Sequence, residues 1–361
     1  MIMKTSGIDE VDQAIAALYQ VISESTNGLR CRASLEIIPG QWQDWKDAAA
    51  PSTTPPSATF PFLLVERNLG IPEKTVYQLL PRCTDFKRAT EPEEILQKTT
   101  VVMIANPANQ TALHARKRLV TLQQHDPEHD TRLTGHLVRT IKPCAKESVI
   151  WAHRRWCFNR LFDAVRTAKN SRRSAELESG QHGPSSRRIP PTVARDEFDT
   201  IRAACTLYPR NYHAWSHWHY LFAHCLSSLQ CDPLHADLRS LVINEYQALE
   251  KWVRCNVSDY SAMHHFLLAS ELLQEFVTDD PESIRQWIQP KTVSDLVKDC
   301  WSSLSSFPSY ETPFLVLRCL LPRLPESERQ SYLDQLPQVD FPPARRDALM
   351  KGTNTYQCIS T

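Results

Sequence analysis

Apolar residues return at helical spacing near the start of the chain, where Ile8, Val11, Ile15, Leu18 and Ile22 follow one another by three or four positions. That period places them on one stripe of an amphipathic helix, so a helix is expected within residues 1–30. The pattern then breaks. Ala48–Ala58 (AAAPSTTPPSA) carries prolines that remove backbone donors and force extended backbone, and it reads as a surface loop inside an N-terminal extension at 31–100. A second break, Lys169–Pro191, is rich in Ser, Arg, Gly and Pro with almost nothing apolar to bury, and reads as a disordered insert with its arginines in solvent. Outside these breaks the periodicity is helical, and strand alternation is nearly absent.

The helices repeat. Asn211-Tyr212-His213-Ala214-Trp215-Ser216-His217-Trp218 sets a register that three other segments share. Asn109 to Arg116 matches at Asn, Ala and the bulky fifth position; Glu147 to Trp156 matches at Trp151, His153 and the closing aromatic; Asp259 to Phe266 matches at Tyr260, Ala262 and His265, with Met263 in the Trp slot. The copies begin 38, 64 and 48 residues apart, and removing an insert of about 20 residues leaves a middle spacing of about 44, the period of a helix-pair repeat. Tyr310 to Phe314 is a candidate fifth copy whose register the sequence leaves ambiguous. The expected fold is all-α, a right-handed superhelical array of helical hairpins (a solenoid or crescent) over 101–325, with a C-terminal tail at 326–361.

Within each copy the leading Asn or Asp reads as an N-cap, its short side chain accepting from an unpaired first-turn amide. Tyr212, Trp215 and Phe222 lie on one helical stripe, as do Trp151, Phe158, Leu161 and Phe162 in the second copy. Such rings cannot be covered by their own hairpin and are expected to bury against the next, which makes Trp151 and Trp215 core residues. Met263 fills the same space more loosely.

Composition narrows the function. Lys plus Arg and Asp plus Glu are balanced at 41 each, so no excess charge draws the chain to nucleic acid or an anionic membrane. Gly is scarce at 8 residues, and neither a Walker nor a dinucleotide fingerprint is present. The 11 cysteines form no CxxC pair and no signal stretch opens the chain, which fits reduced thiols in the cytosol. No run of about 18 apolar residues offers a membrane span. The final Cys358-Ile359-Ser360-Thr361 imitates a prenylation box, but Ser360 and Thr361 are atypical of one.

The Asn-Tyr-His-Ala-Trp-Ser-His run at 211–217 and the Trp-Ala-His-Arg-Arg-Trp run at 151–156 resemble the repeats of protein prenyltransferase alpha subunits. Glu36 to Gly40, Phe62 to Pro72, and Asn106-Pro107 leading into Thr111-Ala112 resemble more narrowly the repeat-containing, alpha-type subunit of the type III geranylgeranyltransferase, and the likeness extends from about Leu35 to Leu320. The resemblance implies a crescent of hairpins around a beta subunit that carries the catalytic zinc, with no cofactor in this chain. It implies transfer of a geranylgeranyl group from its diphosphate to a cysteine of an acceptor protein. It also places Arg210 where the family has a Lys approaching the isoprenoid diphosphate, beside Tyr212. A guanidinium there offers bidentate bonds to phosphate, the plain alternative being an arginine that caps a turn or faces solvent. The repeat signature comprises Asn109, Arg116, Trp151, His153, Arg154, Trp156, Asn211, Tyr212, Trp215, His217, Tyr260, Met263 and His265. It departs from the family where Arg gives way to Trp218 and Phe266.

His213 and His217 share a helical face near Cys205 and Cys225 in sequence, a pattern that admits zinc. The recurrence of His153, His217 and His265 favours a packing or hydrogen-bonding element of the repeat instead. Neither an HExxH pair nor a nucleophile elbow accompanies them, so a self-contained hydrolase is not expected. A non-catalytic helical scaffold or adaptor is the alternative function, and a tetratricopeptide-type array ranks behind both.

Overall fold

The periodic N-terminal segment is helical: α1 runs from Ser6 to Thr26 and buries Ala14, Ile15, Leu18 and Ile22. The structure, a computed structural model, describes residues 6–26, 35–41, 44, 62–65, 68–162, 188–231, 235–279, 288–338 and 342–350. The Pro-rich loop at 48–58, most of the insert at 169–191 and Cys358 lie outside the described residues.

The chain forms two compact units, Met1–His217 and Trp218–Thr361. In the first unit, α1 is followed by three short strands: β1 (Leu35–Ile38), β2 (Leu63–Val65) and β3 (Asn68–Pro72). They make a sheet of order β1-β3-β2, with β1 parallel and β2 antiparallel to the central β3. Gly70 lets the strands meet closely at the centre, since a Cβ there would lie 3.1 Å from Ile38 Cδ1 and 3.4 Å from Leu63 Cβ and would require a small shift of Ile38. Gly40 closes β1 at φ 84°, a left-handed conformation that favours glycine, and its carbonyl accepts from Lys74 N at 3.0 Å.

From here the chain is helical: α2 (Glu73–Cys83), α3 (Pro92–Ala105), α4 (Gln110–Thr121), α5 (Pro127–Thr140), the short α6 (Lys142–Lys146), α7 (Ser148–Leu161) and α8 (Pro191–Leu207). Then α9 (Tyr212–Cys231) contains the boundary between units. In the second unit follow α10 (Ala236–Cys255), α11 (Tyr260–Asp279), α12 (Val293–Ser306), α13 (Glu311–Leu320), α14 (Glu326–Gln335) and α15 (Pro343–Met350). The fold is all-α apart from the small sheet. The segment expected as a tail holds α14 and α15, and Leu336 and Leu349 there are buried.

Successive helices pair as hairpins: α3 with α4, α5 with α7, α10 with α11, and α12 with α13. One local turn recurs between them. Asn106 N donates to Val102 O and Asn109 N to Asn106 O (2.8 and 3.0 Å); Asn256 and Asp259 repeat this (2.8 and 2.8 Å), as do Phe307 and Tyr310 (2.9 and 3.1 Å). The repetition sets the register of the fifth copy, with Tyr310 at the Asn position and Phe314 buried in the Trp slot.

Candidate functional site

The leading polar residues cap their helices. Asn109 Oδ1 accepts from Ala112 N (3.0 Å), Asn211 Oδ1 from Ala214 N (3.1 Å) and Asp259 Oδ1 from Ala262 N (2.9 Å). Asn211 also reaches back, its Nδ2 donating to Ala145 O at 2.7 Å, the same carbonyl that takes Trp151 Nε1 at 2.8 Å. The cap of α9 and the indole of α7 therefore meet on one backbone oxygen. Trp151, Trp215, Phe158 and Phe222 are buried, and Met263 fills its slot. Leu161 and Phe162 are half-buried. Tyr212 departs from the buried stripe and is 50% exposed, as Tyr260 is at 53%, because each is the first residue of its helix with no preceding turn to cover it.

Two buried carboxylates organise the first unit. Asp130 of α5 accepts from Arg116 of α4, Nε at 2.9 Å and Nη2 at 2.7 Å, and from His153 Nε2 of α7 at 2.7 Å. His125 Nε2 adds a contact at 2.8 Å. One hairpin later, Glu197 of α8 accepts from Arg154 of α7, with Nε at 2.6 Å and Nη2 closing the fork, and from His217 Nε2 of α9 at 2.7 Å. Each carboxylate thus takes an arginine from the preceding helix and a histidine from a helix later in the chain, α7 for Asp130 and α9 for Glu197.

The remaining arginine donors are also satisfied. Arg116 Nη1 donates to Leu96 O (3.0 Å), Thr99 Oγ1 (2.9 Å) and Thr100 Oγ1 (3.2 Å). Arg154 Nη1 donates to Thr131 O and, at 3.0 Å, to Thr134 Oγ1. Gly135 leaves room for Arg154: a Cβ there would sit 2.8 Å from Nη1 and 3.2 Å from Cζ.

Burial alone would push both carboxyls up. The Arg116 guanidinium, with His125 and His153, outweighs it and holds Asp130 well below the carboxylate range; Arg154 and His217 bring Glu197 down to about 2. Burial pushes His153 and His217 down despite their carboxylate partners, so both imidazoles are neutral donors in the folded protein. One arginine charge then balances one carboxylate at each junction.

Asp130, His153 and Cys157 bring their donor atoms within 4.8 Å of one another, close enough to share a metal ion. A cation there would stand against the guanidinium that already holds Asp130, and burial pushes the Cys157 thiol up, away from the thiolate a metal needs. Glu197 keeps the same Arg and His partners at its own junction, so hydrogen bonding accounts for both carboxylates. The structure does not gather His213, His217, Cys205 and Cys225 into a donor group among the described residues.

Arg210 is exposed and adopts φ 59°, an uncommon backbone for a residue with a side chain. Trp156 is half-buried, its ring stacked on His153 at 6.0 Å. In the second unit His265 is buried beside His219 (5.8 Å) and His264 (5.1 Å), and Phe266 packs on Tyr246 at 5.3 Å.

Sequence reasoning missed Asp130 and Glu197, although a signal was present. A buried acid precedes the recurring histidine by 23 residues in one case and 20 in the other, and Glu245, also buried, precedes His265 by 20.

Helical hairpins joined through a capped, ring-filled repeat define a helical-repeat protein, and residues 194–225, which cover most of α8 and α9, match the protein prenyltransferase alpha subunit repeat. The chain thus carries a match to one copy of that repeat. It is similar to protein prenyltransferase alpha subunit repeat-containing protein 1-B of Xenopus laevis, 29% identical over 62% of this chain and 51% of the relative. It is also similar to protein prenyltransferase alpha subunit repeat-containing protein 1 of Homo sapiens, 26% identical over 74% of this chain and 62% of the relative. The matches thus span about half to three fifths of the length of these curated relatives. Among the described residues no helix is long and apolar enough to cross a membrane.

Proposed function

We propose that the chain acts as the alpha-type subunit of a cytoplasmic, geranylgeranyltransferase-like protein prenyltransferase. A beta-type subunit supplies the zinc, and the heterodimer moves an isoprenoid from its diphosphate to a cysteine of an acceptor protein. The sulfur–carbon bond forms as the diphosphate leaves. This chain positions the partner and offsets charge on the leaving group. The single observation that carries the reading is the repeat match at 194–225, which falls on α8 and α9 where Glu197 joins them and where Trp215 is buried beneath the Asn211 cap.

Arg210 and Tyr212 support the diphosphate role by lying exposed at the start of α9, where a donor reaches solvent and an anion favours the helix N-terminus. Co-expression with a prenyltransferase beta subunit, followed by transfer of labelled geranylgeranyl diphosphate to a cysteine-bearing acceptor, tests the reading. A stable complex with turnover that falls on Arg210→Ala is expected. A stable complex without transfer would favour the scaffold function, and failure to bind any beta subunit would remove the alpha-subunit role.

A further inference from the structure

Histidines are held differently in the two units. In the first, His153 and His217 each meet a buried carboxylate that also takes an arginine. In the second, imidazoles gather against one another. His265 of α11 is 3% exposed; the His219 ring of α9 lies 5.8 Å from its ring, and the neighbouring His264 ring 5.1 Å from it. His219 and His264 are half-buried, so the three rings are largely withdrawn from water. Where the earlier copies place Arg116 and Arg154, these two helices carry Trp218 and Phe266, both buried.

Around this seam α10 brings Glu245 and Tyr246, both buried. Burial, with Glu245 adding to it, pushes the Cys225 thiol of α9 up to about 12, and burial pushes Tyr246 up as well, so both keep their protons. From α11 itself comes Glu271, which is paired with Arg323. Lys291, whose carbonyl accepts from Gln274 of α11, spends its charge on Glu250 and Asp299. His224 of α9 is buried too, but lies about 140° round the helix from His219. Burial holds His264 below the ordinary imidazole value, with Glu271 opposing it. Neutral rings at these separations pack, whereas two imidazolium ions there repel without the water that would screen them. A loosened seam returns His264 to about 6.5, so the seam is intact above that pH and weakens as pH falls through the lower folded value.

We propose that His219, His264 and His265 form an acid-released latch between α9 and α11. Neutral, the three rings close the two helices on each other; protonated, they push α11 away from α9 and uncover Phe266, the buried neighbour of His265. The latch is independent of the alpha-subunit reading, since its contacts lie within the second unit.

Amide hydrogen exchange of the full chain at about pH 7.5 and about pH 5.5, corrected for the intrinsic pH dependence of exchange, reads the latch in α11. Compared are wild type, H219Q/H264Q, and H224Q as a control on another face of α9. Protection of α11 in wild type is expected to fall by about tenfold or more on acidification, and by less than about threefold in H219Q/H264Q. H224Q is expected to keep the wild-type fall. Thermal melts at the higher pH accompany each variant; if the double variant melts below wild type, H264Q alone, at a half-buried position, decides by the same comparison. No fall in wild type, or an equal fall in the melt-matched variant, overturns the latch. A fall abolished by H224Q would assign the response to His224 and overturn it as well.

Discussion

The two compact units solve the same packing problem with different chemistry. In the first, Asp130 and Glu197 each bind an arginine from the helix before and a histidine from a later helix. In the second, Trp218 stacks on Phe222 at 4.6 Å, and Phe266 lies against Tyr246, whose hydroxyl meets Ser270 Oγ at 2.8 Å. Trp218 and Phe266 stand in the positions where Arg116 and Arg154 stand earlier. A hairpin repeat therefore tolerates either an ion pair or rings at this position. What the ion pair adds is geometric demand, since a buried carboxylate is tolerable only with its donors in place.

That contrast can be broken experimentally. The largest effect is expected from removing one partner of a buried pair: Arg154→Ala leaves Glu197 uncompensated and lowers stability by about 3–5 kcal/mol in urea unfolding, as Arg116→Ala does for Asp130. A loss under about 1 kcal/mol would show that water enters these junctions. Trp215→Ala follows at about 3–5 kcal/mol through lost burial, while Tyr212→Ala, at a 50% exposed ring, stays within about 0.5 kcal/mol. Gly135→Ala forces a methyl into the Arg154 guanidinium and is expected to cost about 1–3 kcal/mol, whereas in a chain already carrying Arg154→Met the same change adds little further loss.

The smallest effect is pH-linked. His153 and His217 have folded pKa values below the free 6.5, so the unfolded chain takes up protons first. Stability is fully present above about 6.5, declines as pH falls through the folded values, and drops further when Asp130 and Glu197 protonate. His153→Gln flattens the first part of the decline; an unchanged slope between pH 7 and 5 would exclude these imidazoles as its source.

The N-terminal helix and the repeat helices that follow Asn109, Glu147, Asn211 and Asp259 were legible because apolar spacing and the Asn–Trp–His register are local signals. The caps at Asn109, Asn211 and Asp259 were legible for the same reason. The sheet was not: β2 has three residues and β3 contains Gly70 and Pro72, too short and too broken for alternation to show. Asp130 and Glu197 escaped because a lone acid in an amphipathic helix resembles any solvated position. Only the partners supplied by α4, α7 and α9 reveal that it is buried. Tyr212 was placed on the buried stripe because periodicity alone does not register that a helix's first residue lacks a covering turn.

His153 and Arg154 are consecutive residues, yet they serve neighbouring junctions, one facing back to Asp130 and the other forward to Glu197. Inserting or deleting one residue earlier in α7 turns both side chains by about 100° and disconnects two seams together. The α5–α7 hairpin therefore contributes Asp130 and His153 to one joint and Arg154 to the next. Such units can be gained or lost only whole, with the dipeptide kept in frame, so the length of α7 is more tightly constrained than most of its surface.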